Sequence, residues 1–286
     1  MRAVSLHRDV IVVTSRVFQT NAALVRAPGA GEGLEEGTAA GGAGEGDGAA
    51  GCEAFLVDSP VLPDELELLP SLAQQAGFQA PSGLLATHAD WDHLLGSLAF
   101  DAPLGCAESS AARLAAEPGA AQRELRGFDE ELYVVRPRPL SLAAVQALPV
   151  PGRCALAGPA GDAELELHAA DGHTSDGMAV VVPWARVLLA GDYLSAIEIP
   201  TLNPGGSLPA YQATLDRLGE LVAAAEHVVP GHGPVLARGE AERVLAEDMA
   251  YLADLVSRGE AAQLPAGRRT REQKRLHALN VGRLAG

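Results

Sequence analysis

The chain has 286 residues, 48% of them hydrophobic, and no uninterrupted apolar run approaches twenty, so it can bury a sizeable core and is not expected to cross a membrane. Its formal net charge is −16, and Lys274 is the one lysine among 21 basic residues, an acidity that repels a phosphate backbone and disfavours nucleic acid as a partner. Three cysteines, Cys52, Cys106 and Cys154, are far apart and outside any C-x-x-C pair, which fits a reducing compartment and inert thiols better than disulfides or a sulfur-bound structural zinc. No small-residue cleavage site follows the short apolar start, so a cytoplasmic protein is expected.

In chain order, residues 10–13 and 17–26 read as strands rich in β-branched side chains. Residues 29–51 are almost entirely Gly, Ala and Glu without an apolar period, and read as a flexible insertion at the tip of an expanded hairpin that resumes at 54–57. Leu66, Leu69, Leu72, Ala73 and Ala76 then recur at helical spacing over 63–77. A buried strand over 82–87 leads into T-H-A-D-W-D-H-L-L-G, residues 87–96, with a helix expected over 92–100. A short strand at 104–107 and a helix at 109–117 follow.

From 132 the texture turns to β, at 132–135, 155–157 and 164–169, delivering D-G-H-T-S-D-G at 171–177. Strands at 178–182 and 187–190 form a hairpin leading into Gly191-Asp192. After an amphipathic helix at 211–225, the strand 228–229 runs into P-G-H-G-P, and helices at about 239–258 and 270–284 finish the chain. The order β-block, helices, β-block, helices predicts an α+β fold, a four-layer αββα sandwich of two sheets with helices outside. Residues 1–238 read as one domain and 239–286 as a helical extension packed on it.

Histidines and carboxylates gather where strands end: His88, Asp90, Asp92 and His93 after one strand, His173 after a second, Asp192 after a third and His232 after a fourth. Four of the eight histidines fall at these points beside Gly or a carboxylate, a distribution that chance scattering does not favour and that suits metal ligation. T-H-A-D-W-D-H, D-G-H-T, A-G-D and P-G-H-G, in this order, resemble the H-x-H-x-D-H, G-H-T, G-D and G-H-G motifs of the metallo-β-lactamase superfamily, over residues 10–235. The glyoxalase II-like branch is the nearest reading, with H-x-D-x-D-H as a variant of the metal motif.

The resemblance implies the metallo-β-lactamase fold and two divalent metal ions. His88, Asp90 and His173 would hold the first, Asp92, His93 and His232 the second, and Asp192 would bridge. Asp58, ending L-V-D-S, matches a supporting carboxylate. The implied activity is hydrolysis of a small ester, thioester or lactone by a metal-bound hydroxide that Asp92 orients. Asp90 is the departure, since it stands where a second histidine is usual; zinc is expected, with iron or manganese as alternatives because carboxylate oxygens suit harder ions. That change keeps open a non-haem iron enzyme acting on oxygen or sulfur species, and a non-catalytic metal-binding protein is the third reading.

Tyr193, beside Asp192, is a candidate catalytic donor to an oxyanion, with a buried structural tyrosine as the plainer reading. Trp91 reads equally as pocket lining or packing, and Glu198 as substrate contact or exposed strand residue. Arg268, Arg269, Arg271, Lys274 and Arg275 read as a solvated helix face. The expected partner is a small-molecule substrate, with neither nucleic acid nor membrane, and a homo-oligomer is left open.

Overall fold

The protein is described by a computed structural model over residues 1–29, 51–142, 144–159 and 161–285. Seven strands form one sheet in sequence order: β1 (Arg2–His7), β2 (Val10–Thr14), β3 (Asn21–Arg26), β4 (Ala54–Val57), β5 (Gly83–Ala86), β6 (Leu104–Ala107) and β7 (Val145–Leu148). Pairing is antiparallel from β1 to β4 and parallel from β4 to β7. The parallel strands are joined by helical crossovers: α1 (Pro63–Gln75) between β4 and β5, and α2 (Glu108–Ala116) with α3 (Ala120–Leu132) between β6 and β7.

The second sheet comprises β8 (Gly152–Leu156), β9 (Ala163–Ala169), β10 (Met178–Val182), β11 (Val187–Gly191), β12 (His227–Pro230) and β13 (Leu236–Ala237), ordered β13-β12-β11-β10-β9-β8. Only β11 and β12 pair in parallel, through the crossover helix α4 (Leu208–Ala224). Helices α5 (Arg238–Arg258) and α6 (Arg271–Ala285) follow.

Strand residues alternate between two apolar layers, as a pleat with both faces covered requires. Val10, Val12, Ala23 and Val25 meet Val180, Val182, Val187 and Leu189 between the sheets. Their neighbours Ile11, Val13, Ala22 and Leu24 turn outward onto Leu66 and Leu69 of α1 and Leu125 of α3. On the other side Leu188 and Val228 meet Leu215 and Leu218 of α4 and Val244 and Leu252 of α5. Each such buried valine or leucine contributes roughly 1.5–3 kcal/mol relative to exposure, and three contiguous apolar layers make the four-layer αββα sandwich.

Several elements differ from the sequence reading. Strand β1 is largely exposed at a sheet edge, so it lacks the alternation that marks a strand, and β7 escapes notice for the same reason. Residues 15–20 form a loop rather than the start of β3. Helix α3 buries Ala121, Leu125 and Phe128 on an otherwise mostly polar helix, and it runs to Leu132 where a strand was expected. The helix expected over 92–100 is instead two 3-10 turns, Trp91–His93 and Leu95–Leu98. Strands β3 and β4 pair antiparallel, as an expanded hairpin requires; residues 30–50, nearly all of the Gly/Ala/Glu-rich insertion, lie outside the described residues. No helix among the described residues is long and apolar enough to cross a membrane.

Candidate metal centre

The parallel stretches of both sheets end on the same side of the sandwich, where crossover topology leaves a crevice beyond the strand C-termini. Asp58 follows β4, the His88 to His93 loop follows β5, Asp192 follows β11 and His232 follows β12. The β9–β10 connection supplies His173. The two sheets are tied together here: Met178 N donates to Thr87 O at 2.7 Å, and Ala89 N donates to Asp176 Oδ2 at 2.9 Å.

Close backbone approach sets the geometry. A Cβ on Gly231 would stand 2.0 Å from Asp192 Oδ1, so only glycine there leaves the carboxylate its place. At Gly172 φ is +122° and a Cβ would meet Tyr211 N at 2.2 Å, so the loop presenting His173 packs directly on the start of α4.

Two groups of side chains result, His88, His173 and Asp192 in one, and Asp92, His93 and His232 in the other. In the first, Asp192 Oδ2 is 3.6 Å from His88 Nε2 and 3.3 Å from His173 Nε2, and Asp90 Oδ2 is 3.6 Å from each of the same two nitrogens. In the second, Asp192 Oδ1 is 3.2 Å from His93 Nε2 and 3.3 Å from His232 Nε2, while Asp92 Oδ2 is 3.9 and 3.5 Å from them. Donors bonded tetrahedrally to one cation at 2.0–2.2 Å stand about 3.3–3.6 Å apart. Seven residues from four separate loops thus stand 3.2–3.9 Å apart, close to that spacing, with Asp192 directing one oxygen to each group.

Three site imidazoles are hydrogen-bonded through Nδ1 and the fourth, that of His93, faces a carboxylate there, so each turns Nε2 inward. His88 Nδ1 contacts Thr87 Oγ1 at 3.1 Å, His93 Nδ1 lies 3.0 Å from Asp58 Oδ2, His173 Nδ1 donates to Thr201 O at 2.8 Å, and His232 Nδ1 donates to Phe18 O at 3.2 Å. Asp58 is held by Thr87 N and Thr87 Oγ1. His88 Nε2, both nitrogens of His93 and Asp192 Oδ1 are among the described atoms buried without a hydrogen-bond partner; for the three that face inward this is costly unless a cation fills the gap. Electrostatics agree. Burial alone would push the imidazoles down, yet the facing carboxylates raise His88 and His93 above their ordinary values and His173 and His232 to about 10. Burial would raise Asp90 and Asp192, but the imidazoles hold both well below the usual carboxylate range. The donor set fits a pair of divalent cations.

A sequence model of the metallo-beta-lactamase superfamily matches residues 62–232, more than half of the chain. The chain belongs to the metallo-beta-lactamase superfamily. Solved structures agree on the superfamily fold. A metallo-beta-lactamase from Pontibacter korlensis aligns with TM-score 0.58 and 18% identity over 88% of this chain and 99% of its own. The metallo-beta-lactamase family protein TTHA1429 from Thermus thermophilus gives 0.59 and 22% over 88% and 83%. TTHA1623, solved in a di-iron-bound form, gives 0.54 and 22% over 82% and 97%. No curated protein sequence matches the chain.

Against this superfamily frame, three positions change their reading. The Tyr193 hydroxyl accepts from His173 N at 3.0 Å and donates to Ala170 O at 3.3 Å, inside the core against Tyr211. Its proton is committed to a backbone carbonyl, so it braces the His173 loop and is no oxyanion donor. Arg268, read as part of a solvated face, is fully buried: it pairs with Asp248 and Glu247 and donates to Ser195 O and Glu198 O. Asp90 lies at the centre, but its other oxygen is taken by Arg113, 2.8 Å away.

Trp91 packs on Phe128 of α3 and on Phe18 of the β2–β3 loop, and Phe18 in turn stands edge-on to His232, forming an aromatic wall beside the second group. Glu198 is half-buried and lines a small cavity with His173, Asp192 and His232; burial raises its carboxyl pKa. Residues without a motif complete the site. Asn203 Nδ2 donates to Asp90 Oδ2 at 3.0 Å and lies 3.2 Å from His173 Nε2. The 199–202 backbone is held by two buried side chains of α6: Gln273 accepts from Ile199 N, and Asn280 accepts from Leu202 N and donates to Pro200 O. Nothing in the local sequence around Asn203, Gln273 or Asn280 signals these contacts.

Proposed function

We propose that the protein is a metal-dependent hydrolase of a small ester, thioester or lactone. The observation that carries this reading is the pair of donor groups joined through Asp192, each with inward Nε2 atoms and anchored outer nitrogens. His88, Asp90, His173 and Asp192 would hold one divalent cation, and Asp92, His93, His232 and Asp192 the other. When bound, such ions supply Lewis acidity toward a carbonyl oxygen and a water acidic enough to ionise near neutral pH.

The chain's own residues then divide the remaining work. Asp92 offers a carboxylate oxygen within the second group, placed to accept a hydrogen bond from the attacking water and fix its direction. Asn203 Nδ2 donates to Asp90 Oδ2 and lies beside His173 Nε2, so its amide orients these two ligands. The Phe18, Trp91 and Phe128 wall excludes water and receives the apolar part of an acyl group. The substrate is a small molecule, in keeping with an acidic chain and a site set in a crevice between loops.

The test is turnover of a panel of chromogenic esters, thioesters and lactones by protein reconstituted with zinc, iron or manganese. At least one carbonyl substrate should be cleaved in proportion to bound metal, and chelation should abolish cleavage. A panel inert at every loading would overturn the hydrolase reading. Asp90 supports a second reading, an iron enzyme acting on oxygen or sulfur species, because it adds an anionic oxygen to the first group; the di-iron form of the similar TTHA1623 is in line with it. Iron in the purified protein together with oxygen consumption would favour that alternative.

A further inference from the structure

We propose that Arg113 is the positioning residue that makes an aspartate workable at position 90. The proposal rests on the reading of this site as a metal centre and concerns a residue outside every motif. Arg113 projects from α2, is mostly buried, and forks between two carboxylates: Nη2 lies 2.8 Å from Asp90 Oδ1, and Nη1 donates to Asp176 Oδ1 at 2.9 Å. Asp176 in turn accepts from Ala89 N through its Oδ2 at 2.9 Å, so one guanidinium ties down both the Asp90 side chain and the peptide between His88 and Asp90. Among the described residues, it is the one guanidinium or ammonium group paired with Asp90.

The two oxygens of Asp90 therefore have separate tasks. Oδ1 is locked to Arg113, while Oδ2 faces His88 Nε2 and His173 Nε2 at 3.6 Å and accepts from Asn203. Two consequences follow. A carboxylate with one oxygen in a fixed ion pair can offer only the other to a cation, so it mimics the single donor of an imidazole. The guanidinium also offsets the negative charge that an aspartate adds, in a site already holding Asp92 and Asp192. A histidine at position 90 would need neither service, and Arg113 would lose its partner there.

The test is a double-mutant cycle on metal binding, comparing the wild type, Arg113→Gln, Asp90→His and the double variant. Chelator-treated proteins are titrated with cobalt(II), reading stoichiometry and the visible absorption of each site, with circular dichroism as the folding control. Arg113→Gln should weaken the first site by about 10–100-fold, the range for partners that orient ligands, and leave the second site filled. In the Asp90→His background the same change should leave first-site affinity unchanged or raise it. Equal losses in both backgrounds would mean that Arg113 acts only through Asp176, and unchanged affinity in Arg113→Gln would mean that Asp90 needs no clamp; either overturns the proposal. If Arg113→Gln does not fold, a double variant that folds and binds two equivalents supports it, and one that also fails to fold overturns it. A wild-type protein that binds no cobalt would instead sink the metal-centre reading.

Discussion

Asn280→Ala reaches the site from about eighty residues away. Asn280 is fully buried on α6; its Oδ1 accepts from Leu202 N at 2.9 Å, and its Nδ2 donates to Pro200 O at 2.7 Å and to Tyr251 Oη at 3.0 Å. Alanine removes all three bonds and strands two buried backbone groups, at about 1–3 kcal/mol each, or about 2–6 kcal/mol together. For a chain of this size that lowers Tm by roughly 3–10 °C. The loop so released carries Thr201 O, which fixes His173 Nδ1, and Asn203, which reaches Asp90. First-site metal affinity should therefore fall by about tenfold or more, while the second site, built from Asp92, His93 and His232, keeps its affinity. Thermal melts of chelated protein and cobalt(II) titrations read the two effects separately. A melting temperature that falls with first-site affinity untouched would refute the coupling between α6 and the site.

Asp58→Asn should weaken the second site by about 10–100-fold in metal titrations, because it removes the charge beside His93 Nδ1; asparagine tolerates the left-handed φ of +57° at this position, so the fold should persist. Gly231→Ala should displace Asp192, whose Oδ1 would lie 2.0 Å from the new Cβ, and metal analysis should show both ions lost or weakened. In metal-free protein the His173 and His232 pKa values, raised from 6.5 to about 10, give a stabilisation complete below pH 6.5 and lost as pH rises through 10. Metal binding needs neutral imidazoles and strengthens over that window. The Tm difference between loaded and chelated protein should thus widen from pH 6.5 to 10, and a constant or shrinking difference would contradict the carboxylate–imidazole electrostatics.

What the sequence revealed and what it hid follow from how far each contact reaches. His88, Asp92, His93, His173, Asp192 and His232 were legible because each stands in a short run whose glycines and strand-end position are local properties. The layers were legible because Val10 to Val13 and Val187 to Ala190 are apolar throughout, the mark of strands covered on both faces. Strands β1 and β7 lie at an edge with few buried side chains, so burial wrote no pattern into them. Arg113 and Asn280 look like ordinary helix residues, and Arg268 like one of a basic cluster. Their partners are 20 or more residues distant, and only folding shows that a buried carboxylate or a bare loop amide awaits each. For Tyr193 the structure decides between the two readings in favour of the buried structural tyrosine, since adjacency to Asp192 in sequence does not say which way a strand-end side chain turns.

Crystals of metal-loaded protein, measured at the absorption edge of the bound metal, test the central claim most directly. Two anomalous peaks are predicted, one among His88, Asp90, His173 and Asp192 with Asp90 Oδ2 bonded and Oδ1 on Arg113, the other among Asp92, His93, His232 and Asp192. No peak in the crevice, or a first-site ion with Asp90 turned wholly to Arg113, would contradict it.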